Sequence, residues 1–322
     1  SVAPLREGGW SAVLAARFEM DLPHRATADR KGRTPERRLC PVEVRVELRA
    51  GDPLVRIETR FDNRVEDHRL RARFPTGVRS DHVWSDGHFL VNCRSLVRRP
   101  SGEGWVQPPP ETVPQQEYSL VQAPTGGLAL LNRGLPELET RDGSDGVDVY
   151  LTLLRAVGWL SRDDFDSRLR SNAGPTLHTP GAQCPGPHVF RYALLPFEGD
   201  FRQAGVPDAS RRYRVEPVSV QGVMAGSVQG GRSLVRRGTG RATITAIKKH
   251  RSRDSLIVRL YNPSSEPVRE WLEKDPPVRA AWRTDLLEER EASVPISGNR
   301  VDLSLEPHRI VTVELELDVD GA

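Results

Sequence analysis

Lysine is nearly missing from this 322-residue chain: Lys31, Lys248, Lys249 and Lys274 are the lysines, and arginine supplies the rest of the 47 basic residues. Cysteine is scarce as well. Cys40, Cys93 and Cys184 are odd in number, far apart and in no C-x-x-C pair, which excludes a disulfide framework and a cysteine zinc site. No run of eighteen apolar residues occurs, so no transmembrane helix and no membrane partner is expected. Asn262 is followed by proline and no N-x-S/T acceptor is present, which together with the cysteines points to a cytoplasmic, bacterial protein. The opening residues, SVAPLREGGW, show neither an initiating Met nor a signal-peptide pattern and are read as an internal cut of a longer protein. Aromatics make up 6% of the residues, too few for a sugar-stacking surface of the kind a free-standing carbohydrate-binding module presents.

What is abundant is arginine alternating with acids, as in RVEDHRLRAR and SRDDFDSRLR, for a formal net charge of +3. A nucleic-acid reader concentrates its positive charge in a stripe. Interspersed signs predict a salt-bridged surface instead, and no nucleic-acid partner.

The dominant period is two. Val42, Val44, Val46 and Leu48 alternate with Glu43, Arg45 and Glu47, and after a turn at Ala50–Pro53 the alternation resumes through Val55, Ile57, Thr59 and Phe61. Val147, Val149, Leu151 and Leu153 repeat the pattern, as do Val311, Val313, Leu315 and Leu317 around Glu314 and Glu316. Half-buried strands of this kind build antiparallel sheets stacked as sandwiches, so the fold class is all-β. Helical signal is confined to a short stretch, Arg162 to Leu169. Residues 99–115 are too rich in Pro and Gly for a strand, and residues 221–240 have the composition of a connector. The division expected is a large sandwich over residues 1–235 and a small one over 241–322.

The most specific signal is a series of ordered segments: VRIETRFDNRVEDHRLRARFPTG from Val55, GLALLNRGLPELE from Gly127, VDVYLTLLRAVGWLSRDD from Val147 and AGPTLHTPGAQCPGPHVFRYALLPFEGDF from Ala173. Their order resembles the C-terminal region of bacterial family 38 glycoside hydrolases, the α-mannosidases. Residues Thr243 to Leu317 look like the small β-sandwich that closes those enzymes. Leu138 stands where the family usually has Tyr, and Phe197 and Glu198 where it often has His.

The resemblance implies a large domain like the galactose-mutarotase supersandwich, and a parent enzyme that hydrolyses terminal α-mannosides with retention. It implies a zinc ion held partly by an H-x-D pair in an N-terminal domain; none of the eight histidines here begins such a pair. No catalytic residue, no zinc ligand and no activity of the chain alone is therefore expected. A mannose-containing oligosaccharide is the partner of the parent enzyme, and a homo-oligomer is left open. In the family an arginine of the β domain reaches the sugar, which makes Arg155, Arg162 and Arg168 candidate substrate-binding residues, with Asn132 and Arg133 as weaker ones. Guanidinium forks suit this role because they donate several hydrogen bonds to hydroxyls or carboxylates.

The other clusters have plainer readings. His82, Asp86 and His88 could supply three zinc ligands, but Ser85-Asp86-Gly87 reads as a solvated turn. Asp163 and Asp164 are adjacent and unsuited to glycosidase spacing. Glu137 and Glu139 read as solvated charge beside Arg133 and Arg141. The rival function classes are a sugar-binding module and a structural or oligomerisation domain.

Overall fold

A computed structural model of the chain describes residues 1–97, 104–164, 173–222, 233–238, 240–274 and 277–317. Two compact units result, one of Ser1–Gly87 with Asn92–Val215, the other of His88–Val91 with Glu216–Ala322. Both are β-sandwiches, as the period-two alternation predicts.

In chain order, the larger unit contains β1 (Val2–Glu7), β2 (Ser11–Pro23), β3 (Arg37–Arg49), β4 (Val55–Asn63), β5 (His68–Pro75), β6 (His82–Gly87) and β7 (Leu90–Ser95). There follow β8 (Thr112–Pro114), β9 (Tyr118–Ala123), β10 (Gly126–Asn132), β11 (Glu137–Asp142), β12 (Val147–Ala156) and β13 (Gly186–Glu198). A nine-stranded sheet runs β1-β2-β3-β4-β13-β10-β9-β6-β7, and a four-stranded sheet runs β5-β12-β11-β8. The core lies between them: Val42, Phe61 and Tyr192 from the first sheet meet Leu138, Val149 and Leu151 from the second. Phe74 on β5 packs edge-on to Tyr192 at 5.8 Å, bridging the layers.

Four strands cannot cover nine. Leu14, Phe18 and Leu48 stand in register with core positions of the large sheet, yet remain about half exposed where it runs past the smaller one. On the opposite face charge pairs with charge. Arg45 donates to Glu43 at 2.5 Å, Arg60 and Arg191 to Glu58 at 2.8 and 2.9 Å, and Arg6 to Glu47 at 2.6 Å.

The structure departs from the sequence reading in several places. Within the Pro-rich excursion, Thr112–Pro114 forms a short edge strand on β11, where a missing proline N–H costs no ladder bond. A helix, α1 (Val206–Arg214), was not expected, although Val206, Ala209, Ser210 and Tyr213 bury one face at helical spacing behind a proline in the first turn. The helix expected over Arg162–Leu169 falls mostly outside the described residues, and Arg162–Asp164 are irregular. Asp86 sits within β6, 7% exposed, so the solvated turn is replaced by a buried strand position.

In the smaller unit one sheet contains β14 (Arg236–Arg237), β17 (Val268–Glu273), β20 (Ile296–Ser297) and β21 (Arg300–Leu305). The other contains β15 (Thr243–Lys249), β16 (Leu256–Tyr261), β18 (Val278–Thr284), β19 (Arg290–Ser293) and β22 (Ile310–Leu317). Leu272, Val301 and Leu303 interlock with Val258, Ala281 and Val313 between the layers. Glu314 of β22 is fully buried, which its alternating pattern did not suggest. Arg253 and Arg290 donate to it at 2.8–3.0 Å and Ser255 at 2.6 Å, and Arg290 also lies 3.4 Å from the Trp282 ring centroid. Burial alone would raise this carboxyl, yet the guanidinium bonds hold it far below the usual carboxylate range.

Candidate functional site

A cleft of about 1210 Å³ opens at one end of the larger sandwich. Four pieces of chain form it: the connection between β2 and β3, the corner between β4 and β5, the end of β12 with the residues after it, and the segment 178–185 that leads into β13.

Local polar bonds give each piece its shape. In the first, the Thr27 hydroxyl donates to Asp29, and the backbone N–H groups of Lys31 and Gly32 bond Asp29 and Thr27 at 3.1 and 3.0 Å. This is the side-chain-to-backbone turn chemistry that Thr and Asp favour. Arg33 then reaches across and donates to the carbonyls of Asp67, Pro23 and Glu66 at 2.5, 2.9 and 3.0 Å, tying the connection to the corner.

At the corner the Asp67 carboxylate accepts from Gln183 Nε2 at 2.7 Å and from the Ala26 N–H at 3.2 Å, while the Asp67 N–H bonds Gln183 Oε1 at 2.9 Å. Asn63 donates to the carbonyls of Gln183 and Cys184, both at 2.9 Å. Three pieces of chain distant in sequence are thereby fastened together, which places the wall on a rigid frame.

Arg155 and Arg162 both line this cleft. Arg155 is exposed near the end of β12, directly opposite Arg69 on β5, and among the described residues no ion pair is formed by it. Arg162 grips Asp164 with a two-pronged bond, 2.7 and 2.8 Å, and Asp164 also accepts from Arg30 at 2.8 Å. The Arg162 bond, reinforced by Arg30, keeps the Asp164 carboxyl well below the usual range. Arg30 in turn lies 4.2 Å from the centroid of Trp159, whose ring is 4.8 Å from that of His178. Trp159 is thus a packed wall residue with a cation over its face.

His68 also lines the cleft, its two ring nitrogens shielded from solvent. Burial, and then the charge of Arg33, push its pKa below the usual histidine value.

The remaining sequence candidates lie elsewhere. Arg168 is outside the described residues. Asn132 is fully buried at the end of β10, donating to the Gln116 carbonyl at 3.0 Å and accepting from the Leu135 N–H at 2.9 Å. Arg133 donates to the Tyr213 carbonyl at 3.0 Å with its guanidinium 4.7 Å from that ring, and so anchors α1. Neither lines the cleft. Arg25, Lys31, Arg33 and His68 do line it and were not singled out in the sequence. The local signal of Lys31 and Arg33 is the turn composition of ATADRKGRT, and it is the fold that brings residues 24–34 and His68 into one lining with residue 155.

Two acidic clusters are corrected by the geometry. Glu139 is not solvated: it is fully buried and receives Arg69 at 3.0 Å, Arg71 at 2.9 Å and also Arg141, while Glu137 accepts from Thr152 at 2.7 Å. Burial would raise the Glu139 carboxyl, but Arg141 and Arg71 outweigh it and hold it low. Asp86 is pushed up to about 7, first by burial and then by the neighbouring Glu117 charge. Among the described residues no three His, Cys, Asp or Glu side chains are placed to hold a metal ion, and His82, Asp86 and His88 form no such set. No helix among them is long and apolar enough to cross a membrane.

Comparison with known proteins accords with this architecture. Residues 241–313 match the family model for the glycosyl hydrolases family 38 C-terminal beta sandwich domain. A putative mannosylglycerate hydrolase of Halalkalibacterium halodurans is 28% identical over 292 residues, 89% of this chain and 30% of that protein. Alpha-mannosidase 2C1 of Mus musculus is 28% identical over 279 residues, 84% of this chain and 24% of that one. The chain thus spans less than a third of the length of these curated relatives. In fold, it superimposes on an alpha-mannosidase from Enterococcus faecalis V583 with a TM-score of 0.81 at 22% identity, covering 98% of this chain and 35% of that one. Residues 241–313 thus match the C-terminal beta sandwich domain of the family 38 glycosyl hydrolases, and the chain as a whole is similar in sequence and in fold to part of each of these larger proteins.

Proposed function

We propose that this chain is the C-terminal, non-nucleophile portion of an enzyme that hydrolyses terminal α-mannosides with retention, and that its cleft walls the sugar site. The observation that carries the reading is the convergence of Arg155 and Arg162 on one cleft, in the sandwich that resembles the mannosidases. Retention needs two carboxyl groups about 5–5.5 Å apart. In this reading the nucleophile and the zinc ion belong to residues outside these 322. The chain's own contribution is positional: the guanidinium groups of Arg155 and Arg162 donate to hydroxyls of the bound mannoside, Arg162 being held in place by Asp164. The two domains of the reading are residues 1–235 and 241–322, and its setting is the cytoplasm of a bacterium.

The test joins this chain to its catalytic portion and follows hydrolysis of a chromogenic α-mannoside. Arg155→Gln or Arg162→Gln is expected to lower kcat/KM about tenfold or more, the loss of one or two good hydrogen bonds to substrate. Unchanged kcat/KM in both variants would remove the cleft from the sugar site. Turnover by the chain alone would overturn the division of labour.

A further inference from the structure

We propose that the uncovered apolar face of the nine-stranded sheet, on β1, β2 and β3, is a dimerisation surface that takes the same face of a second copy of this chain. The proposal rests on the sandwich itself and not on the function proposed above.

Register defines the face. Ala12 stands opposite Leu48, Leu14 opposite Val46, Ala16 opposite Val44 and Phe18 opposite Val42, while Val2 and Pro4 of β1 pair with Ala16 and Leu14. None of these side chains is charged. Alternation sends Arg17, Glu43, Arg45, Glu47 and Arg49 to the opposite face, where they form ion pairs with one another. Toward β4 the apolar face enters the core through Val42 and Phe61. Toward β1 it lies open, with Val2, Leu14, Phe18 and Leu48 about half exposed or more. Trp10, in the turn between β1 and β2, accepts the Ala50 N–H through its carbonyl at 2.9 Å and extends the same ladder at the parity of Leu14.

Area and edge chemistry select the occupant. At about 200 Å² for a large apolar side chain, Val2, Trp10, Leu14, Phe18 and Leu48, which are 47–85% exposed, present roughly 600 Å². An ordinary monomer's largest apolar patch is about 300–600 Å², so this one stands at the upper limit. A homodimer of standard size buries about 800 Å² on each partner, about 65% of it apolar, which is what this face supplies. Without charge it cannot select a partner by charge, but across a two-fold axis it is complementary to itself. Edge-to-edge pairing is closed to it. Ser1 and Arg17 exchange both backbone bonds, at 2.7 and 2.8 Å, so Val2 and Pro4 turn their backbone groups outward, and Pro4 has no N–H to give. The register shift between Pro4 and Arg6 blunts the same edge further. Two copies therefore meet face to face, as sheets stacked about 10 Å apart, and not by strand addition.

The test is the oligomeric state of the whole 322-residue chain. Sedimentation velocity is followed from about 1 to 100 μM with reductant present, because Cys93 is an exposed thiol. A reversible monomer–dimer equilibrium is expected, and it should persist in about 1 M salt, where ion pairs are screened. Phe18→Glu puts a charge into the face and should raise the dimer dissociation constant about tenfold or more. Trp10→Ser, at an exposed turn, should raise it about fivefold or more, and it carries the test even if Phe18→Glu does not fold. Val189→Glu is the control. It is half exposed and in register with Arg60, on the ion-paired face of the same sheet, and should dimerise as the wild type does. A chain that stays monomeric to about 100 μM assigns the face to another partner and overturns the proposal. So do a dimer indifferent to both Phe18→Glu and Trp10→Ser, a dimer weakened equally by Val189→Glu, and assembly that continues past two copies, which a closed two-fold contact forbids. Because the readout is association and not turnover, either this proposal or the mannosidase reading can fail while the other stands.

Discussion

The strand faces of the larger sandwich and the cleft at its end use the same side chain in opposite ways. On the strand faces arginine is a structural counter-ion. Glu139 collects Arg69, Arg71 and Arg141, and Glu58 collects Arg60 and Arg191, so charge is locally balanced. In the cleft the balance fails, with Arg155 exposed opposite Arg69 and Arg33 spent on carbonyls. Folding explains the first group, since a buried carboxylate without cations is costly. It explains Arg33, which ties the β2–β3 connection to the corner, but not Arg155, which forms no ion pair among the described residues.

The sharpest way to break this contrast is to empty a balanced site. Glu139→Ala leaves three guanidinium groups converging on nothing, and should cost about 3 kcal/mol in urea unfolding. That is the low end for removing one partner of a buried pair, because the arginine ends reach solvent. A loss below about 0.5 kcal/mol, the size of an ordinary surface change, would mean that balance on the strand faces is as dispensable as in the cleft.

Asp86 supplies the next effect, with pH as the variable. Its folded-state pKa, about 7, lies above the roughly 3.9 of an unfolded aspartate. A raised pKa contributes stability that is whole below about pH 4 and is lost as pH rises through 7. Asp86→Asn removes that dependence while retaining an oxygen for the Glu117 N–H, now 3.3 Å from the carboxylate. The variant should equal the wild type near pH 4 and exceed it by about 2 kcal/mol at pH 8, half of the full conversion of the shift. Parallel stability–pH curves would show that Asp86 is ionised and solvated after all.

These residues also show what the sequence could and could not reveal. Period-two alternation located Val42–Phe61, Val147–Leu153 and Val311–Leu317 because a strand's core face is written locally. Glu139 reads as solvated charge, and Glu314 as part of a polar face, because alternation marks the second face as polar without saying what covers it. Their cover comes from arginines far away, Arg253 and Arg290 for Glu314, and Arg69 and Arg71 for Glu139. Helix α1 was legible in principle: Pro207, then Ala209, Ser210 and Tyr213 at helical spacing after Val206. Of the cleft, Arg155 and Arg162 were found through resemblance, whereas Arg25, Lys31, Arg33 and His68 join them only when the corner and the β2–β3 connection fold together.

The smallest effect is the most discriminating, because its sign differs between the two regions. Arg60 lies beside Glu58 at 2.8 Å and is about half exposed, 47% by side chain. Arg60→Gln should destabilise by about 0.2–1 kcal/mol at low salt, the usual size for an exposed pair. Arg155 instead faces Arg69 across β5 and β12, and like charges directly opposite each other are destabilising. Arg155→Gln should therefore stabilise the free chain by a few tenths of a kcal/mol, about 0.2–0.5. Both differences should shrink in about 1 M salt, where the screening length falls to about 3 Å. Thermal unfolding of the two variants at low and high salt reads this directly. If Arg155→Gln also destabilised, with the same salt dependence as Arg60→Gln, the cleft would be as balanced as the strand faces.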